Sequence, residues 1–155
     1  AGSVNTVGRV SVAQVISAVA FTNVSGLAVS VSATGWYEVK GALLFSCSAA
    51  NVRKFTLTYP AMTQAGFHMW GSTSVMAGAA ASAFSSMYNA EMGPANSGGI
   101  ALSIAFGAGV HSMNINGAIV VSTTGVIRVQ ALTSVTTAPI EFLRGCYLRV
   151  FRVGP

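Results

Sequence analysis

The chain contains no aspartate, and its only acidic residues are Glu38, Glu91 and Glu141. Its histidines are two, His68 and His111. General acid–base catalysis needs such groups brought together in space. An inventory this small, with no Gly-x-Ser-x-Gly elbow and no aspartate to complete a serine–histidine triad, argues against a hydrolase and sets the expectation of a non-enzyme. Glu38, two residues from Lys40 on one strand, is expected to form a surface or interface ion pair.

Charge of either sign is also scarce. Only 7% of the 155 residues are charged, against roughly 25% in an ordinary soluble domain. A folded monomer of this size exposes about 7,000 Å², which leaves about 700 Å² to each charged residue. So thin a cover implies that much of the surface is buried against copies of the chain or against a partner. The hydrophobic fraction of 52% excludes disorder and suffices for one sizeable core in one domain.

Long apolar runs are missing as well. The longest candidate, residues 99–110, is too short and too glycine-rich to cross a bilayer as a helix. No basic segment followed by an apolar block opens the chain, so neither a signal peptide nor a membrane partner is expected. Two cysteines, Cys47 and Cys146, fit no metal spacing and fall within strand-like runs. One disulfide is open to them, but buried free thiols are the preferred reading. No cofactor is expected, because phosphate-cradling glycine motifs are absent, and no metal cluster is spelled out. A threefold axis gathering three copies of His68 or of His111 around an ion is a route that a single sequence leaves open. Heptads that would mark a coiled-coil stalk are absent too.

The basic residues are Arg9, Lys40, Arg53, Lys54, Arg128, Arg144, Arg149 and Arg152, giving a net charge of +5. They form no basic run, so nucleic acid is not the expected partner. Six of them are arginine, the cation suited to interfaces and bidentate pairing, and docking onto an acidic or polar protein surface is the better reading.

What is present is period-two alternation in runs rich in Val, Ile, Phe and Tyr, separated by Gly, Ser, Thr and Asn, the signature of an all-β chain. Residues 35–46 place Tyr37, Val39, Leu43 and Phe45 on one face and Trp36, Glu38 and Lys40 on the other. Residues 52–58 read as a strand, and 115–121 with 126–132 as a hairpin turned at Gly125 with positive φ. Residues 140–153 read as a last strand interrupted at Gly145. Upstream, 7–16 and 28–32 read as short strands joined by a loop at 21–27. From 61 to 109, Ala, Gly, Ser and Met dominate. Met76, Ala80, Ala83, Met87 and Glu91 keep a helical spacing there, but two or three weak strands joined by loops are preferred. Phe67, His68, Met69 and Trp70 are expected in a loop, where recognition tends to sit.

The order of strand endings and glycine–aromatic steps from residue 20 onward resembles a known family. The residues that carry it are Phe21 to Leu27, Ala33-Thr34-Gly35-Trp36-Tyr37-Glu38-Val39, Ile115-Asn116-Gly117, Gly125-Val126-Ile127-Arg128-Val129-Gln130 and Gly145-Cys146-Tyr147-Leu148-Arg149-Val150-Phe151-Arg152-Val153. They resemble the jelly roll of complement globular heads and tumour necrosis factors, in the versions found in tailed-bacteriophage capsid decoration (cement) proteins, head fibres and fibre tips. The Met- and Ala-rich middle departs from that pattern. The resemblance implies an antiparallel jelly-roll sandwich of about eight to ten strands, a homotrimer with an apolar axis, and no catalysis.

On that basis residues 1–20 are expected to be an N-terminal arm or edge strand and 21–155 the jelly roll. The expected function is a decoration trimer on the outside of a phage head, docked to the major capsid protein through Arg9, Arg53, Arg144, Arg149 and Arg152. The alternative is a fibre tip that recognises a host glycan through Phe67, His68 and Trp70.

Overall fold

The computed structural model describes residues 5–60, 62–74, 82–88 and 102–155, with side chains described over 7–60 and 106–155. Its strands are β1 (Asn5–Arg9), β2 (Gln14–Ile16), β3 (Thr22–Val31), β4 (Gly35–Cys47), β5 (Asn51–Thr58), β6 (Met62–Ser74), β7 (Ser82–Tyr88), β8 (Leu102–Phe106), β9 (Gly109–Val121), β10 (Gly125–Thr133), β11 (Ile140–Phe142) and β12 (Tyr147–Gly154). All pairings are antiparallel. The larger sheet runs β1-β12-β4-β9-β6-β7, with β11 bridging β4 and β2, and the smaller runs β3-β10-β5-β8. The molecule is an all-β, sandwich-like pair of sheets. Among the described residues no helix is long and apolar enough to cross a membrane.

The alternation of apolar residues places the core between the sheets. Tyr37, Val39, Leu43 and Phe45 of β4 are buried while Trp36, Lys40 and Leu44 are exposed, as the period-two pattern requires. Leu27, Val29 and Val31 of β3, Ile127 and Val129 of β10, and Ile115 and Ile119 of β9 join the same cluster. At one end Phe45 packs on Phe106 at 5.1 Å and on Phe55 at 5.2 Å between ring centroids, with Phe142 alongside. Tilted and edge-on ring pairs of this kind add to the area they bury.

Arg53 closes this aromatic end from within. It is 0% exposed, and its guanidinium donates to the carbonyls of Asn51 (2.8 Å), Phe106 (3.2 Å), Ala49 (2.8 Å) and Ala138 (3.0 Å). The planar fork of donors reaches several carbonyls at once, which a lysine ammonium cannot do in the same geometry. One buried cation thus ties the start of β5 to the end of β8 and to the loop before β11.

Several sequence expectations are corrected here. Residues 115–121 and 126–132 form no hairpin: β9 lies in the larger sheet beside β4 and β6, and β10 lies in the smaller sheet between β3 and β5. The turn between them crosses from one sheet to the other. Gly125 has no positive φ; its place is set by Pro60, whose Cβ would lie 2.8 Å from a Cβ at position 125. Residues 22–27 are strand and not loop, with a bulge absorbed at Gly26, whose φ is +87°. Of the two expectations for residues 1–20, an arm or an edge strand, β1 takes the second, pairing with β12 at the edge of the larger sheet, while β2 pairs with β11. Ala83 and Met87 fall in strand β7, whereas Met76, Ala80 and Glu91 lie outside the described residues. The break at Gly145 separates β11 from β12 as the sequence indicated.

Replacing Arg53 by methionine keeps the bulk but withdraws the guanidinium donors from four carbonyls, that of Ala138 retaining the Thr133 hydroxyl at 2.7 Å, and should lower unfolding stability by roughly 3 kcal/mol. Urea unfolding followed by tryptophan fluorescence measures this. An unchanged midpoint would show that the carbonyl bonds contribute nothing net.

Candidate functional site

Buried Leu148 and Val150 face the core from β12, so Tyr147, Arg149 and Phe151 occupy the outer face of the larger sheet. Register sets their neighbours. Arg149 lies between Val7 of β1 and Lys40 of β4, Tyr147 between Arg9 and Ala42, and Phe151 opposite Glu38. Three cations from three adjacent strands are thereby collected into one stripe. The turn at 143–146, with Gly145 at a φ of 104°, brings β12 back beside β4 after β11 ends. Val10 N–H donates to the Cys146 carbonyl at 3.0 Å and fastens the end of β1 to that turn.

Two shallow grooves meet at Arg149. One, of about 460 Å³, is lined by Val7, Arg9, Gly145, Cys146, Tyr147 and Arg149 among others. The second, of about 280 Å³, is lined by Glu38, Lys40, Arg149 and Phe151. Lys40 Nζ stands 3.0 Å from Glu38 Oε1, the ion pair expected from their spacing. Both side chains are nearly half exposed, so the pair contributes about 0–1 kcal/mol and serves mainly to orient Lys40. Arg9 and Arg149 make no ion pair among the described residues. The result is a positive, partly aromatic surface with unpaired guanidinium forks, fit to accept carboxylates.

Of the five arginines expected at a docking surface, the structure brings Arg9 and Arg149 together. Arg144 is exposed in the turn next to the larger groove. Arg53 is a correction, since burial and its carbonyl bonds take it out of contact with any partner. Arg152 points the other way along β12 and donates to the Thr34 carbonyl at 2.9 Å, closing the opposite end of the sandwich. Lys40, Tyr147 and Phe151 were missed as companions of Arg149, although the spacing of Tyr147, Arg149 and Phe151 at every second residue was visible in the sequence.

Phe67, His68 and Trp70 are not in a loop. All three belong to β6, paired on both sides, with His68 opposite Asn116 and Met87 and Trp70 opposite Asn114 and Ser85. The loop argument for a glycan site at these residues therefore fails. His111 is buried against Phe45 and Phe106 and bonds the Gly107 carbonyl through Nε2 at 2.8 Å. Among the described residues no three His, Cys, Asp or Glu gather where a metal ion could be held.

Both cysteines are free and buried. Burial pushes the Cys146 thiol up from its ordinary 9.0, against bonds with the backbone of Leu44 and Leu143 that act the other way. Burial also raises Cys47, offset in part by the charge of Arg53.

No protein-family model matches the chain, and no curated protein matches its sequence. Among solved structures, a chain in the structure of infectious bursal disease virus, Gx strain, superposes over 97% of this chain with a TM-score of 0.27 and 8% identity. This chain spans about a third of that one, 36% of its length. A superposition so loose fixes neither topology nor function.

The raised thiols carry a pH signature. A folded-state value above the unfolded 9.0 stabilises the fold fully below that pH and loses its contribution as pH rises through the folded value. The urea midpoint should therefore fall above pH 9.0, and the fall should be smaller in a Cys47→Ala, Cys146→Ala double variant than in the parent.

Proposed function

We propose that the chain is a viral structural subunit, a tumour-necrosis-factor-like jelly roll that assembles as a homotrimer and decorates the outside of a phage head, bound to the major capsid protein. The observation that carries the reading is the outer face of the larger sheet. Trp36 is 57% exposed and Val153 58% exposed, with Val7, Leu44 and Tyr147 also open, on a molecule whose charge is too sparse to keep such a face in water. The apolar end, at Trp36 and Val153, is the part assigned to contact between copies. The basic end, at Arg9, Arg149 and Arg144, is the part assigned to the shell.

Catalysis has no place in this reading. Its support is the dispersal of the titratable groups among the described residues, with Glu38 paired to Lys40 and His111 sunk in the aromatic end of the core. A decoration protein needs only stable contacts repeated over a lattice, where three weak docking points on one trimer act with the gain of multivalency.

Analytical ultracentrifugation should give a trimer of the 15.8 kDa chain, and Trp36→Glu should shift it toward monomer. A parent protein that stays monomeric at high concentration contradicts the assembly. Binding to undecorated shells should weaken with rising salt and drop at least about tenfold in an Arg9→Glu, Arg149→Glu variant. Shell binding indifferent to both changes would remove the basic groove from the interface.

A further inference from the structure

The smaller sheet carries a second, separate recess at the opposite side of the molecule from the basic stripe. It opens where β5 ends and β10 begins, with a volume of about 490 Å³, lined by Thr58, Pro60, Thr123, Thr124, Gly125 and Arg128 among others. Its construction is specific. Arg128 stands opposite Thr58 in the register of β10 and β5, which puts the two side chains on the same face of the sheet. Pro60 lies directly over Gly125, where a Cβ would come within 2.8 Å of the proline Cβ, and this contact seats the crossing turn against the end of β5. The turn residues Thr123 and Thr124 are exposed at the rim.

None of the side chains of Thr58, Thr123, Thr124 and Arg128 makes a hydrogen bond or ion pair among the described residues. A guanidinium that lines a recess without a partner is an anion acceptor, and its fork matches a carboxylate through two parallel bonds. The described carboxylates offer it nothing: Glu38 and Glu141 both belong to strands of the larger sheet. The three threonine hydroxyls in the lining can each donate and accept, the complement of a polyol. Pro60 supplies an apolar wall against which the C–H face of a sugar ring can rest. One guanidinium balances a single negative charge, which favours a carboxylate over a phosphate dianion, and the volume is within the range of small-ligand sites.

We propose that this recess binds a carboxylate-bearing saccharide, a uronic or similar sugar acid, with Arg128 on the carboxylate and Thr58, Thr123 and Thr124 on the ring hydroxyls. The site is distinct from Phe67, His68 and Trp70, and it holds whether or not the chain decorates a shell. Its open shape and single charge imply weak single-site binding, in the millimolar range of about −4 kcal/mol. Copies on an assembled particle would raise the effective affinity.

Titration of the isotopically labelled protein with sodium glucuronate, followed by amide and arginine side-chain NMR shifts, tests this. Shifts should saturate and cluster at residues 123–128 and at Thr58. Glucose, which lacks the carboxylate, should bind at least about tenfold more weakly, and so should inorganic phosphate, which lacks the ring. Arg128→Gln should weaken glucuronate about tenfold or more, and Thr124→Val, which keeps the charge, about threefold, with the remaining amide spectrum unchanged in both. Equal binding by phosphate at the same resonances would make this a plain anion site and overturn the saccharide. Glucuronate shifts scattered over the surface, or untouched by Arg128→Gln, would overturn the site altogether.

Discussion

Strands β3, β4, β5, β9, β10 and β12 all turn an apolar face toward a single layer, and the need to keep that layer closed governs the connections. From β3 to β4, β4 to β5 and β9 to β10 the chain leaves one sheet and enters the other. A strand that crossed and came back beside its predecessor would bury the same side chains, but would leave the facing sheet without a partner for its apolar face. Crossing at successive turns lets both sheets grow together, at the expense of placing most contacts far apart in sequence. The aromatic end shows the outcome, with rings from β4, β5, β8 and β11 meeting within one cluster.

Arg53 follows from the same constraint. Where β5 begins and β8 ends, carbonyls of the strand ends and of the adjoining loops converge on one buried point. A buried carbonyl without a donor is costly, and one guanidinium supplies four of them. The charge that this requires is held by dipoles alone, with no carboxylate in the set. A sequence pattern has no means of showing that. Arg53 sits in an alternating run, Asn51-Val52-Arg53-Lys54-Phe55, in which its parity matches the buried Phe55 while Lys54 takes the exposed position. Parity was therefore the available signal, and chemical type, which places arginine outside by default, overrode it.

Parity explains the rest of what was legible. Alternation indicates which side of β4 is buried, the glycine at 145 where the last strand breaks, and the place of both cysteines in strand-like runs that the thiols lie inside, because each depends on local pattern. It did not tell which strand lies alongside which. Residues 115–121 and 126–132 satisfy the pattern of a hairpin and of a sheet crossing equally well, since inward faces are the same in both. The run 21–27 has the composition of a loop, since Asn23, Ser25 and Gly26 are turn formers. In the fold, Val24 and Leu27 are both buried across the bulge, and their side chains outweigh local propensity. Residues 67–70 were misplaced for the related reason that a mixed aromatic and polar tetrad has no clean period.

The exposed cations acquire meaning once the buried and tied ones are subtracted. Arg53 is interior, Arg152 is bonded to Thr34, and Lys40 is paired with Glu38. Arg9, Arg144 and Arg149 remain on the larger sheet and its adjoining turn, while Lys54 and Arg128 remain on the smaller. Among the described residues both faces carry an excess of cations, and Glu38 on the larger sheet is already paired with Lys40, so two copies brought face to face through either would bring like charges close. On the assembly proposed above, contact between copies would use the apolar end near Trp36 and Val153 and leave the guanidinium groups at the rim, where solvent screens them. The same geometry leaves those groups exposed to solvent, so the proposed division of the sheet, copies at the apolar end and an anionic surface at the basic end, rests on where the few charges lie.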